Sequence, residues 1–369
     1  MPHFTQPSAD DVQFRVAFSH VTGIGPARMA GLERFFDGLE DAWQADRSQL
    51  RQAGLDNRTV DEIETTRATL DPAEAYQRTL EAGIAALKPD DDEYPRRLRE
   101  IPDPPPLLYV RGELLERDEW SLAVVGTRRP TPYGVQATRS LAADLAAAGL
   151  TIVSGLARGV DGIAHETTLD QNGRTLAVVA SGLDHVYPPE HKPLAGRILD
   201  SGGAMLSEYP LGKRPDARYF PRRNRIIAGM TLGTLVTEAG EKSGTWHTVT
   251  SALDQGREVF AVPGPITSEQ SAGANNVIKR GLGKLVTCAQ DVLDELNLGP
   301  IERQAELVEQ LPEDPMEALL LERLGSEPIH VDELSRLIQQ PVHETAAAMA
   351  TLELKGFIHQ VGPMTYARR

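Results

Sequence analysis

From residue 120 to 297 the chain alternates short apolar runs with longer amphipathic ones. LAVVGT (122–127), TIVSGLARG (151–159), TLAVVASGL (175–183), AMLSEYP (204–210), GTLVTEAG (233–240) and EVFAVPG (258–264) are β-branched or alanine-rich, and most run into a glycine turn. YGVQATRSLAADLAAAG (133–149) and GIAHETTLDQNG (162–173) carry helical spacing and end at glycine. Near-continuous apolar strands separated by helices predict a parallel sheet covered on both faces. The prediction is an α/β fold with an extended Rossmann-like sheet. In such sheets ligands sit at the carboxyl ends of the strands, where these glycine turns fall.

The flanks have other periods. Residues 1–88 read as helical, with apolar positions at helical spacing through FRVAFSHVTGIGPARMAGLERFF (14–36) and a second helical stretch over about 59–87. The turn Gly23-Ile24-Gly25-Pro26 resembles the hairpin of SAM/helix-hairpin-helix-like modules, where glycines let backbone amides approach a DNA phosphate. Similar helical modules are also purely structural. Residues 89–119 are proline-rich and predict a linker with a lead-in strand at 107–110. Residues 298–314 read as an acidic linker. Residues 315–369 read helix, helix, helix, hairpin, the outline of a winged helix. Its third helix has no Lys or Arg from Pro341 to Leu354, so a protein-contacting or accessory role is favoured over duplex reading.

Length and charge narrow the picture. A chain of 369 residues holds two or three domains. Cys288 is the single cysteine, which excludes an intrachain disulfide and a cysteine-based zinc site and fits a reducing, cytoplasmic setting. No apolar run approaches the roughly 18 residues of a membrane span, and the first residues lack the pattern of a signal peptide. The net charge of −15 is unevenly spread: residues 291–340 hold 13 Asp/Glu against 3 Lys/Arg. In contrast, LGKRPDARYFPRRNR (211–225) holds six Lys/Arg against one acid, beside Tyr219 and Phe220. Cations interleaved with aromatic residues suit a polyanion whose bases can stack; a solvated basic surface gives the same pattern. Either aromatic ring could equally belong to the core.

The turns exclude some ligands. The first strand leads into Gly126-Thr127-Arg128-Arg129-Pro130, without Gly-x-Gly-x-x-Gly, and no P-loop is present, so neither a dinucleotide cofactor nor P-loop ATP hydrolysis is expected. Ser154-Gly155-Leu156-Ala157-Arg158-Gly159 could cradle an anion, with Asp161 capping the next helix or holding an arginine. His165 reads as a helix residue that satisfies a neighbour. Asp184, His185, Glu190 and His191 fit no standard metal spacing, so no metal is expected; Lys192 is a candidate phosphate contact. The turn at 237–245 could bind phosphate, or its Glu238 could brace the arginines.

VVGTRRPTPYG, SGLARGVDGIAH, ASGLDHVYPPEH, SEYP, FPRRNRIIAG, TEAGEKSGTWHT and EVFAVPGP resemble, in order and spacing, the successive blocks of the DNA-processing protein A (DprA/Smf) family. The resemblance implies single-stranded DNA binding without sequence preference, and a homodimer. It implies delivery of incoming strands to the RecA recombinase during natural transformation, with displacement of single-strand-binding protein. No catalytic activity and no cofactor are implied. Expected DNA contacts are Arg128, Arg129, Ser154, Gly155, Arg158, Gly159, Lys192, Phe220, Arg222, Arg223, Asn224 and Arg225; the expected dimer contact is Asn275, Asn276, Val277 and Ile278. Two alternatives stand beside this. One is a related Rossmann-like nucleotide phosphoribohydrolase, although its Pro-Gly-Gly-x-Gly-Thr loop is absent here. The other is a scaffold whose end domains recruit partners.

Overall fold

The structure, a computed structural model, describes residues 9–298, 315–324, 329–338, 340–354, 358–362 and 364–368. The acidic linker expected at 298–314 lies outside the described residues apart from Leu298. The chain divides into two compact units, one up to Asn297 and one from Leu298.

The first unit opens with α1 (Ala9–His20), α2 (Pro26–Phe35), α3 (Leu39–Gln44), α4 (Arg47–Gln52), α5 (Asn57–Arg67) and α6 (Pro72–Glu81). Helix starts follow local chemistry: Asp46, Asp56 and Asp71 accept from the amides of Gln49, Thr59 and Glu74, and Pro26 and Pro72 occupy first-turn positions where no amide is needed. Phe18, Met29, Leu32, Trp43 and Ile63 form the core of this module, with Phe18 edge-on to Trp43 at 5.0 Å.

The helical stretch expected at 59–87 divides differently. Asp71-Pro72 starts a new helix, Gly83 (φ +68°) lies just beyond its end, and Ile84–Leu87 is a strand, β1. It pairs antiparallel with β2 (Leu108–Gly112), Ile84 opposite Arg111 and Leu87 opposite Leu108. Four residues with no visible partner read as the tail of a helix; only the neighbouring strand makes them extended. The proline-rich stretch between the two strands also packs. It contains α7 (Arg96–Arg99), and Tyr94, Leu98 and Ile101 join the main core, the Tyr94 hydroxyl donating to the Pro105 carbonyl at 3.0 Å.

The sheet continues through β3 (Ser121–Val125), α8 (Pro132–Ala147), β4 (Thr151–Ser154), α9 (Val160–Asp170), β5 (Thr175–Val178), α10 (Lys192–Asp200), β6 (Ala204–Ser207), α11 (Tyr219–Gly229), β7 (Gly233–Val236), α12 (Thr245–Asp254), β8 (Glu258–Ala261), α13 (Ala272–Lys279), β9 (Lys284–Leu285) and α14 (Ala289–Glu295). Strand order is β1-β2-β6-β5-β4-β3-β7-β8-β9. From β6 to β9 all neighbours are parallel, as the apolar runs predict; β1 and β2 extend one edge antiparallel. Every residue of β3, β4, β5, β6 and β7 is buried, as expected of strands covered on both faces. The helical module meets one face of the sheet through Val16 and Ala75, which share a core with Tyr109, Val179 and Ile198. Ser19 and Tyr109 hydroxyls bond at 2.7 Å across this seam.

The second unit holds α15 (Pro315–Arg323), β10 (Ile329–His330), α16 (Val331–Ile338), α17 (Val342–Leu354), β11 (Ile358–Gly362) and β12 (Thr365–Arg368), the three strands forming an antiparallel sheet in the order β10-β12-β11. Leu320, Leu334, Met349, Leu352 and Tyr366 fill its core. This is the winged helix the sequence outlines. Among the described residues no helix is long and apolar enough to cross a membrane.

Candidate nucleic-acid interface

Strands β3 to β6 are laid down in one direction across the sheet, and β7 to β9 in the other. The reversal lies between β3 and β7, so the loops leaving these two strands diverge and open a crevice. A cavity of about 660 Å³ occupies it, walled by Gly126, Arg128, Arg129, Asp161, Phe220, Arg223, Asn224, the Ser243-Gly244-Thr245 turn and Gln270, among others.

Close packing of the turns explains their glycines. The Thr127 amide donates to the Glu238 carbonyl at 2.7 Å, stitching the two switch-point loops together. A Cβ on Gly126 would lie 2.7 Å from that same carbonyl, and one on Gly134 would lie 2.3 Å from the Glu238 carboxylate. Gly159 combines φ +76° with a site where a Cβ would meet the Thr127 carbonyl at 2.4 Å. Of the two readings of the 237–245 turn, phosphate binding or Glu238 bracing the arginines, the second is not what Glu238 does: its two oxygens accept from the amide and hydroxyl of Thr131, the N-cap of α8. It thereby anchors the loop that carries Arg128 and Arg129.

The cations around the cavity and in the basic run separate into those that face solvent and those that hold the fold. Arg128 is exposed, its guanidinium 5.1 Å from the centre of the Phe220 ring. Arg129 is also exposed. Arg223, by contrast, is 3% exposed and donates to the carbonyls of Gly155 and Val178, tying the ends of β4 and β5 together. Burial pushes its pKa down to about 10 while Asp161 opposes that, so it stays cationic at neutral pH. Arg225 is buried against Glu208 and reaches Asp103 at 3.1 Å. Ser154 is fully buried, its hydroxyl donating to the Val124 carbonyl at 2.6 Å.

Asp161 accepts from the amides of Gly155 and Ala157, capping the glycine loop, and burial raises its pKa. Asp216, the other acid in the cavity wall, is paired with Arg218, which holds its carboxyl down at about 2. His165 is fully buried and bonded to Thr175 at 2.7 Å; burial lowers its pKa to about 3, so it is a neutral structural residue, as its context suggests. Among the described residues no cluster of three or more His, Cys, Asp or Glu is arranged to hold a metal ion.

Of the expected DNA contacts, Arg128, Arg129, Phe220, Arg223 and Asn224 come together around this cavity. Ser154, Gly155, Arg158, Gly159, Lys192, Arg222 and Arg225 do not line it. Arg158 is paired on the surface with Glu190, and Lys192 is exposed at the first position of α10. Of the expected dimer contacts, Val277 is a core residue, and Asn275 bonds both the amide and the carbonyl of Gly264; Asn276 and Ile278 are half-buried.

Three features escape the sequence reading. Residues 219–229 form α11, with Pro221 in its first turn where proline is tolerated. Tyr187 and Gln270 reach the cavity from loops distant in sequence. No local signal marks those two residues, because only the sheet's strand order brings their loops to the crevice.

Fold and site together define a Rossmann-like protein with a cationic, glycine-walled pocket at the sheet's switch point, joined to helical and winged-helix modules. Residues 85–297 match the sequence profile of DNA recombination-mediator protein A, and residues 304–362 match the DprA winged helix domain. The chain belongs to the DNA-processing protein A family. It is 38% identical over 304 residues to Protein Smf of Synechocystis, covering 81% of this chain and 76% of that one, and 39% identical over 252 residues to DNA processing protein DprA of Bacillus subtilis, covering 68% and 82%. Among solved structures, DNA processing protein A of Streptococcus pneumoniae is similar with a TM-score of 0.65 and 32% identity over 77% of this chain and 97% of that one. The DNA processing protein A of Helicobacter pylori, whose structure was reported for its single-stranded DNA binding mode, is similar with a TM-score of 0.52 and 31% identity over 58% and 95%.

Proposed function

We propose that this protein binds single-stranded DNA without sequence preference in the switch-point pocket and acts as a recombination mediator, handing the strand to a RecA recombinase and helping to displace single-strand-binding protein. One observation carries the reading. Arg128 stands exposed beside the Phe220 ring and Arg129 stands exposed in the same cavity wall, while the acids of that wall are engaged internally. That arrangement leaves net positive charge and an aromatic ring in the wall of an open crevice, which suits a phosphate and an adjacent unpaired base. A duplex offers no free base face, so a single strand is preferred.

In this reading Arg128, Arg129, Asn224 and Phe220 touch the strand. Arg223, Arg225, Ser154, Gly155 and Gly159 position the walls, and Lys192 extends the cationic surface. Homodimerisation would let one strand engage two pockets and raise avidity. Asn276 and Ile278 are candidates for that contact.

The hydrolase alternative is disfavoured. Glu238 is buried with both oxygens bound to Thr131, and Asp161 is buried against loop amides, so neither is free to activate water. The test is fluorescence anisotropy with labelled single-stranded and duplex oligonucleotides across a salt series. Tight, salt-dependent binding with preference for the single strand is expected; equal or absent binding would overturn the proposal.

A further inference from the structure

Arg222 and Arg223 are neighbours in sequence, yet they serve different cavities. A second cavity, of about 80 Å³, lies where the α1–α2 hairpin meets the segment between β6 and α11. That volume is several-fold the roughly 10–15 Å³ one water needs. Thr22, Gly23 and Gly25 of the hairpin wall one side; Tyr209, Lys213 and Arg222 wall the other.

Both sides supply groups for an anion. Gly25 caps α2 with no side-chain bond and Pro26 follows it, so the first-turn amides of α2 have no intrahelical acceptor and the helix end carries partial positive charge. The hairpin comes close to the basic run: a Cβ on Gly25 would lie 3.2 Å from Arg222 Nη2. Among the described residues no carboxylate pairs with Arg222 or Lys213. An independent sign is Tyr209. It lines this cavity, is 8% exposed, stacks on Tyr219 at 4.4 Å, and its hydroxyl has no hydrogen-bond partner. A buried hydroxyl without a partner is costly unless a ligand completes it.

Glu208 also lies in the wall, but Arg225 neutralises it in a buried pair; Arg15 is likewise paired with Glu33. The local field is positive. His20, on the hairpin's first helix, is lowered to about 4, first by burial and then by the Arg78 and Lys213 charges.

We propose that this seam is a second anion site, taking a backbone phosphodiester of the same single strand that occupies the Arg128 pocket. The inference rests on the single-strand reading above. Helix α11 supplies the continuity: Phe220, Arg223 and Asn224 face the main cavity, while Tyr219 and Arg222 face the seam. A strand lying across the first turn of α11 touches both. The helical module is then part of the DNA surface, its hairpin amides and Tyr209 completing what Arg222 and Lys213 begin.

The test uses the full chain and the variants Thr22→Glu and Arg128→Ala. Thr22 is exposed, so a carboxylate there adds repulsion at the seam without disturbing the core. Oligothymidylate anisotropy should show Thr22→Glu binding about 10-fold more weakly, with a salt slope lower by about 0.7, and an unchanged melting temperature. In glycine-labelled protein the Gly25 amide resonance should shift on addition of inorganic phosphate in the wild type and not in Thr22→Glu. Wild-type-like binding by Thr22→Glu, beside a weakened Arg128→Ala, would overturn the seam site and leave the main pocket standing. Absence of oligothymidylate binding by the wild type would overturn the single-strand reading and the phosphodiester assignment; a Gly25 response to phosphate would then support only the anion site. A Gly25 response to polyglutamate but to neither phosphate nor oligothymidylate would overturn the phosphodiester assignment.

Discussion

Replacing Arg128 by alanine is the most direct probe of the proposed pocket, because the side chain is exposed and has little part in holding the fold. The side chain is exposed, has no carboxylate partner among the described residues, and touches the fold mainly through its position 5.1 Å from the Phe220 ring. Such an exposed cation–π contact contributes about 0.5–1 kcal/mol at most, so the melting temperature should barely move. Loss of one charge-assisted hydrogen bond to a phosphate costs about 1.5–3 kcal/mol, or roughly 10–100-fold in affinity at about 1.4 kcal/mol per decade. The salt slope should fall by about 0.7, the value for one phosphate on a single strand. Between 50 and 200 mM salt the variant's affinity should therefore drop about 2.5-fold less than that of the wild type. Arg158→Ala is the matched control: that arginine is also exposed but already paired with Glu190, and its loss should cost less than about twofold. Anisotropy on labelled oligothymidylate measures the affinities and salt slopes of both variants, and thermal unfolding measures the melting temperature. An unchanged affinity and slope for Arg128→Ala, or an equal loss for Arg158→Ala, would refute the assignment.

Other consequences follow from the same geometry. Gly155→Ala places a Cβ 2.3 Å from the Arg223 guanidinium, which is buried and cannot withdraw; a destabilisation of about 3 kcal/mol or more in urea unfolding is expected, and a neutral result would contradict the packing. Phe220→Leu should weaken single-strand binding by about 1–3 kcal/mol if a base stacks there, with little change in duplex binding; unchanged single-strand binding would return Phe220 to a packing role. His165 takes up a proton near 6.5 when unfolded but only at about 3 when folded, so its stabilisation is complete above about pH 6.5 and declines as pH falls toward 3. About 2 kcal/mol should be lost from this residue between pH 6.5 and 5, and the loss should shrink in His165→Asn; equal pH dependence in the two proteins would count against it. Removing residues 315–369 should leave single-strand affinity within about twofold, since α17 carries no Lys or Arg; a near-total loss would make the winged helix the main DNA reader.

Much of the fold is legible without coordinates because its signals are local. Parallel strands buried on both faces must be apolar throughout, so 122–127, 151–159 and 175–183 announce themselves. The turns after them need glycine because backbone approaches backbone there, as at Gly126 and Gly159. Helix starts at Asp56 and Asp71 follow from a carboxylate two or three residues ahead of free amides. The concentration of arginine and aromatic residues at 211–225 likewise marks this segment as special before any folding is known.

What local signals leave open is which way each side chain faces. Residues 219–229 are a helix, so successive positions turn by about 100°. That rotation sends Arg222 to the seam, Arg223 into the sheet and Asn224 to the pocket, although all three sit in one basic run. Residues 84–87 become a strand only because β2 offers an edge, and the Gly23-Ile24-Gly25-Pro26 hairpin faces Arg222 only because α1 and α6 dock on the sheet. Composition and periodicity by themselves determined the parallel sheet, its glycine turns and the concentration of cations and aromatic residues at 211–225. Tertiary structure alone decided which arginines meet solvent and which are clamps, because that depends on partners brought together across long stretches of chain.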